Sequence, residues 1–201
     1  MFLSTNFIFI VLFYFLGSLP FALILPKIFG YGDIRNIGSG NVGATNVLRT
    51  GNKYLAFIVL CLDVLKGLLP FIILNLYFHE MDMLLAVLLC HFTILGHIFP
   101  IWLKFKGGKG VATYIGFLFG LNAILGISFL IVWMLIALIS RYASLSSLIA
   151  SLIAPIYFFF INPNYYIGIF LFYLFLIIIL KHTKNIKKLL SGSENIIKLS
   201  K

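Results

Sequence analysis

The stretch VATYIGFLFGLNAILGISFLIVWMLIALIS, residues 111–140, carries no charged side chain, and its reading decides how the chain is folded. At about 1.5 Å per residue, a helix of that length reaches roughly 45 Å. The apolar core of a bilayer is about 30 Å thick, so the stretch is too long for one upright crossing and too short for two full ones. Lys109 and Arg141 flank it. Basic residues mark cytoplasmic loops, which places both flanks on one side and requires the chain to enter and return. The stretch therefore reads as two short helices with a turn near residues 120–122. A single tilted helix is the alternative. It would put Arg141 and the basic tail on the opposite side, against the charge rule.

Outward from this stretch the same pattern repeats. Apolar runs cover residues 7–28, 54–77, 83–103, 143–161 and 165–180. The first begins almost at the N-terminus but is long and lacks a small-residue cleavage site, so it reads as a retained helix, kinked near Pro20. Basic residues cluster at Arg35, Arg49 and Lys53, at Lys104, Lys106 and Lys109, at Arg141, and at Lys181, Lys184, Lys187 and Lys188. The connections at residues 79–82 and 162–164 contain none. The expectation is an all-α polytopic membrane protein of about seven transmembrane helices, some short. Its N-terminus lies outside, its C-terminus lies in the cytoplasm, and residues 1–201 form one domain.

Composition agrees. The chain is 62% hydrophobic and only 10% charged, against about 25% charged in soluble domains. A soluble fold of this length cannot bury that much apolar surface, so its solvent is lipid. The net charge of +10 is then read as cytoplasmic anchoring and attraction to anionic lipid heads, not as nucleic-acid binding. Cys61 and Cys90 lie in apolar runs, and neither they nor the histidines have a metal-ligand spacing; no metal or cofactor is expected.

Three polar clusters interrupt the apolar background, all on the expected cytoplasmic face. The first is GSGNVGATNVLR, residues 38–49. Gly38, Gly40 and Gly43 fit the GxGxxG spacing, but no strand precedes them, so a dinucleotide fold is rejected. Glycines still let backbone N–H groups approach an anion. Ser39, Asn41, Thr45 and Asn46 add neutral donors, and Arg49 adds a planar cation suited to phosphate. The second cluster is GHIFP, residues 96–100, with LKFKGGKGVAT, residues 103–113. The Walker spacing fails, yet Gly107, Gly108 and Gly110 frame Lys109 just before a helix start, a place that favours anions. Lys104 and Lys106 read as membrane anchors, and His91 as a core residue. The third cluster is KHTKNIKKLLSGSE, residues 181–194, with His182 and Asn185 on one helix face. Asp63 and Lys66, three apart inside the second span, read as a structural ion pair. Ser144, Ser146 and Ser147 follow Arg141 and can cap a helix or bind phosphate.

Together these stretches, with LDVLKG at residues 62–67 and RYASLSS at residues 141–147, resemble the PlsY family, the bacterial acyl-phosphate:glycerol-3-phosphate acyltransferases. The resemblance covers essentially the whole chain, with three long motifs in order. It implies a seven-helix enzyme of the bacterial inner membrane with its active site facing the cytoplasm. It implies transfer of a fatty acyl group from acyl phosphate to the sn-1 hydroxyl of glycerol 3-phosphate, and a functional link to an enzyme that makes acyl phosphate. It further implies that Ser39, Lys109, His182 and Asn185 carry the catalysis. Asn41, Thr45, Asn46, Arg49, His97, Lys104, Gly108, Lys188 and Glu194 would bind substrate, with Ser144 or Ser147 adding a hydroxyl. Lys188 stands where the family usually has arginine.

The chemistry fits donors and cations without a protein nucleophile, because acyl phosphate is already activated. The HxxxxD motif of other glycerolipid acyltransferases is missing: five residues after His79, His91, His97 and His182 stand Leu84, Gly96, Trp102 and Lys187. Either His182 or a substrate phosphate oxygen takes the hydroxyl proton. A transporter of phosphorylated metabolites is the rival class, but only Asp63 and Lys66 put charge at membrane depth, and no inverted repeat is visible. A non-catalytic lipid-binding protein is a third reading.

Overall fold

A computed structural model describes residues 2–78 and 80–197, and every regular element among them is helical. His79, the start of one connection considered above, lies outside the described residues, as does the tail from residue 198. Backbone packing divides the chain after Leu121 into two compact units.

The first unit opens with α1 (Phe2–Ser18) and α2 (Phe21–Ile28), bent by 42° at Leu19 and Pro20 as the proline predicts. A short helix α3 (Ala44–Val47) lies in the loop that follows. Asn52 then starts α4 (Lys53–Tyr77) by accepting the Leu55 N–H at 2.9 Å. Asp82 does the same for α5 (Met83–Cys90), which breaks at His91 before α6 (Phe92–Ile98). The unit ends with α7 (Val111–Leu121), which packs on α4, while α1 packs on α6. Both pairings are backbone-close. A Cβ on Gly116 would overlap the Val64 carbonyl, and one on Gly67 would overlap that of Thr113. Small residues allow this approach, which is how helices gain contact where lipid removes the hydrophobic drive.

The second unit contains α8 (Ala123–Ser140), α9 (Ala143–Ile161), α10 (Tyr165–Lys181) and α11 (Thr183–Leu190). Helix α9 packs against α8 and α10. The division of residues 111–140 falls at Asn122, where the turn was expected. Its backbone is extended, and its side chain accepts the N–H groups of Ile124 and Leu125 at 2.9 and 3.2 Å, so α8 starts afresh. The two helices are unequal: α8 has 18 residues, and α7 has 11, or roughly 16 Å. Trp133 of α8 donates to the Ser147 hydroxyl of α9 at 3.0 Å.

Segments Lys53–Tyr77, Met83–Leu103, Ala123–Ser140 and Ala143–Ile161 are each long and apolar enough to cross a membrane. The bent pairs α1–α2 and α10–α11 raise the number to six, and α7 is a shorter apolar helix. The protein is thus the all-helical polytopic membrane protein the sequence predicts, with span limits within a few residues of those expected. Of the α8 side chains, only those of Leu125 and Phe129 are buried, while Ile124, Ile127, Ile131, Met134, Leu135, Leu138 and Ile139 are exposed, an apolar face suited to lipid.

Candidate active site

The loop of residues 29–52 is built on an apolar underside. Ile34, Val42 and Val47 are buried against Ala22 of α2 and Leu55, Ala56 and Val59 of α4. That anchorage leaves Ser39, Thr45 and Arg49 exposed and Asn41 half-buried. Asn46 is 1% exposed and ties the loop together. Its Oδ1 accepts from Ser39 N at 3.0 Å, Ser39 Oγ at 3.2 Å and Arg49 Nη1 at 3.2 Å. Its Nδ2 donates to the Ile34 carbonyl at 2.7 Å. Gly38 has φ +57°, and a Cβ there would strike the Arg49 side chain, so the turn needs glycine. Asp33 accepts from the Arg35 guanidinium at 2.5 Å, which pulls its carboxyl down to about 2 and keeps the pair charged at neutral pH.

The second cluster folds back on the end of α6. Gly107 and Gly108 donate their N–H groups to Ile98 and His97 carbonyls, both at 3.1 Å. His97 is buried, and a Cβ on Gly108 would overlap its Nε2 and the Val42 carbonyl. The two glycine-rich loops thus touch: Val42 of the first, and His97, Gly107 and Gly108 of the second, line one small cleft with Asp63 and the α1–α2 break. Lys109 is half-buried just ahead of α7, and Lys104 is exposed. Lys104 and Phe105 both hold left-handed backbone, φ 51° and 62°, a conformation that costs energy for residues with a Cβ. Trp102 fixes this turn by donating to Ser18 Oγ at 2.9 Å.

In the second unit His182 sits at the 64° bend between α10 and α11 and is 2% exposed. Its Nδ1 lies 2.8 Å from the Ile178 carbonyl. A carbonyl only accepts, so Nδ1 carries the proton and Nε2 the lone pair of the neutral ring. Asn185, on the next turn, donates Nδ2 to both oxygens of Glu194 at 2.9 and 3.1 Å. The tail that brings Glu194 there is held by Ile197 N donating to the Arg141 carbonyl at 2.7 Å. Lys188 is exposed. The two candidate serines differ. Ser147 Oγ donates to the Ala143 carbonyl and accepts from Trp133, whereas the buried Ser144 hydroxyl has no hydrogen-bond partner among the described residues. Sequence reasoning did not anticipate the Asp63–His97 approach, at 3.8 Å, or the Trp133–Ser147 bond.

The helices and their loops define a polytopic membrane protein that sets neutral donors and cations on short, tightly folded segments between its spans. The chain belongs to the glycerol-3-phosphate acyltransferase family, whose model matches residues 7–192. It is 50% identical over 186 residues to a glycerol-3-phosphate acyltransferase of Pelagibacter ubique, covering 92% of this chain and 94% of that one. It is 45% identical over 196 residues to one from Bartonella henselae, covering 97% and 93%. Among solved structures it is similar to PlsY, an integral membrane glycerol 3-phosphate acyltransferase. The glycerol 3-phosphate form of that protein matches with TM-score 0.89 and 34% identity over 96% of each chain. Its lysophosphatidic acid form matches with TM-score 0.87 and 33% identity over 96% of each chain.

Proposed function

We propose that this acyltransferase moves a fatty acyl group from acyl phosphate to the sn-1 hydroxyl of glycerol 3-phosphate, releasing lysophosphatidic acid and inorganic phosphate. The observation that carries this reading is the exposed Ser39–Arg49 pair fastened to one buried carboxamide, beside a glycine-framed Lys109. Those are phosphate-binding chemistries, and two phosphates must be held. The solved relative in forms with glycerol 3-phosphate and lysophosphatidic acid supports substrate and product.

Transfer is direct. The sn-1 oxygen attacks the acyl carbon, the bond from that carbon to the phosphate oxygen breaks, and phosphate leaves with the electron pair. His182 Nε2 accepts the hydroxyl proton, a step worth roughly 10²- to 10⁴-fold. Asn185, held by Glu194, orients the attacking group. Ser39, Asn41, Thr45, Arg49, Lys104 and Lys109 bind phosphate oxygens and the charge that develops on the acyl oxygen, and Lys188 adds cationic charge. Asn46, Gly108 and His97 shape the loops behind them, and Ser144 is the serine with a hydroxyl to offer. Alignment of two bound reactants supplies the rest, up to about 7–11 kcal/mol of the barrier. The protein works in the bacterial inner membrane with these residues toward the cytoplasm, downstream of a reaction that joins a fatty acyl group to phosphate.

Purified protein given acyl phosphate and radiolabelled glycerol 3-phosphate is expected to form lysophosphatidic acid with no acyl-carrier protein present. Arg49→Ala and Lys109→Ala should remain folded and lose that turnover. Equal rates with acyl-CoA as donor would sink the donor assignment, and a trapped acyl-enzyme would sink direct transfer.

A further inference from the structure

Asp63 and Lys66 put a carboxylate and an ammonium inside the second span, where such groups are costly unless used. Both side chains are 2% exposed, and they lie 2.7 Å apart. The ammonium also donates to the Leu19 carbonyl at 3.0 Å, in the break between α1 and α2, and stands 5.5 Å from the Phe21 ring centre. The carboxylate oxygen that meets Lys66 also faces His97 Nδ1 at 3.8 Å. His97 in turn carries the second motif's loop: its carbonyl accepts the Gly108 N–H, and its ring fills the space a Gly108 side chain would need. Lys109 is the next residue. Asp63, His97, Gly107 and Gly108 all line the same cleft.

We propose that Asp63 is a positioning residue for the acyl transfer. Its carboxylate, held in place by Lys66, orients the His97 ring against Gly108 and so sets where the Lys109 loop meets substrate phosphate. This rests on the reading of that loop as a phosphate-binding segment. The opposite charges fix the carboxylate 2.7 Å from the ammonium, with the His97 ring facing it.

The test uses the full-length protein in detergent, with kcat, KM for glycerol 3-phosphate and unfolding temperature measured on each variant. Asp63→Asn leaves Lys66 unpaired and is expected to lower the unfolding temperature. Asp63→Asn with Lys66→Met removes both charges and is expected to restore it, while KM stays raised about tenfold and kcat changes far less. A stable double variant with the wild-type KM overturns the proposal. If that variant does not fold, Asp63→Glu, which keeps the ion pair, is crossed with His97→Gln. The Asp63→Glu effect on KM should vanish in the His97→Gln background, and an undiminished effect overturns the proposal. Wild-type turnover is measured first. Its absence would defeat the donor assignment above, whereas an unchanged KM in a stable variant defeats only the role of Asp63.

Discussion

Asn46 makes four hydrogen bonds with a single carboxamide, three through its oxygen and one through its nitrogen. That arrangement fixes Ser39 and Arg49 relative to each other and to the backbone behind them. Asn46→Asp keeps the acceptors but ends the donation to Ile34, leaving a carbonyl unpaired at a cost of about 1–3 kcal/mol. It also sets a carboxylate against Arg49, which draws the cation away from substrate. The expected result is a roughly 10- to 100-fold fall in kcat/KM in steady-state assays. Activity equal to wild type would show that the hub does not orient the pair. The sequence shows that Asn46 belongs to a donor-rich loop, but not which way its side chain faces. A carboxamide aimed at substrate and one aimed at the main chain look the same in one dimension. The choice between Ser144 and Ser147 was hidden for the same reason: the Trp133 that engages Ser147 lies 14 residues away on another helix.

At the scale of elements, α4 and α7 meet without side chains between them at Gly67 and Gly116. Gly116→Val would push a branched side chain into the Val64 carbonyl. The expected cost is about 1–3 kcal/mol from overpacking, read as a lower unfolding temperature in detergent, together with a loss of turnover because α7 begins two residues after Lys109. An unfolding temperature equal to wild type would show that the two helices have room to separate. Helix limits were largely legible, since apolar runs, prolines and Asn or Asp caps act locally: Asn52, Asp82, Asn122 and Asn164 each begin a helix where a run begins. The break at His91 and the left-handed Lys104 and Phe105 were not legible. No proline or glycine occupies those positions, and it is the tertiary packing around them that settles their backbone.

For the molecule as a whole, charge distribution predicts orientation. Single cysteines placed at Lys106, Arg141 and Ser193 should resist a membrane-impermeant thiol reagent in intact cells and react after permeabilisation. Cysteines at Glu80 and Pro163 should react without it. Labelling that put positions 106 and 141 on different sides would contradict the entry and return of residues 111–140. The architecture was readable because lipid forces every span to satisfy its own backbone, so composition and length say nearly everything about where helices run. Among the described residues two span carbonyls also take a donor from another span: Phe99 accepts from the Tyr14 hydroxyl, and Leu19 accepts from the Lys66 ammonium. Ribosomes deliver residue 19 well before residue 66. Until the second segment has been translated, the break in the first lacks its cationic donor and holds only the Phe21 N–H at that oxygen. Biogenesis of this protein is therefore a matter of joint delivery: the kinked leading segment acquires its remaining polar partners only as later spans arrive.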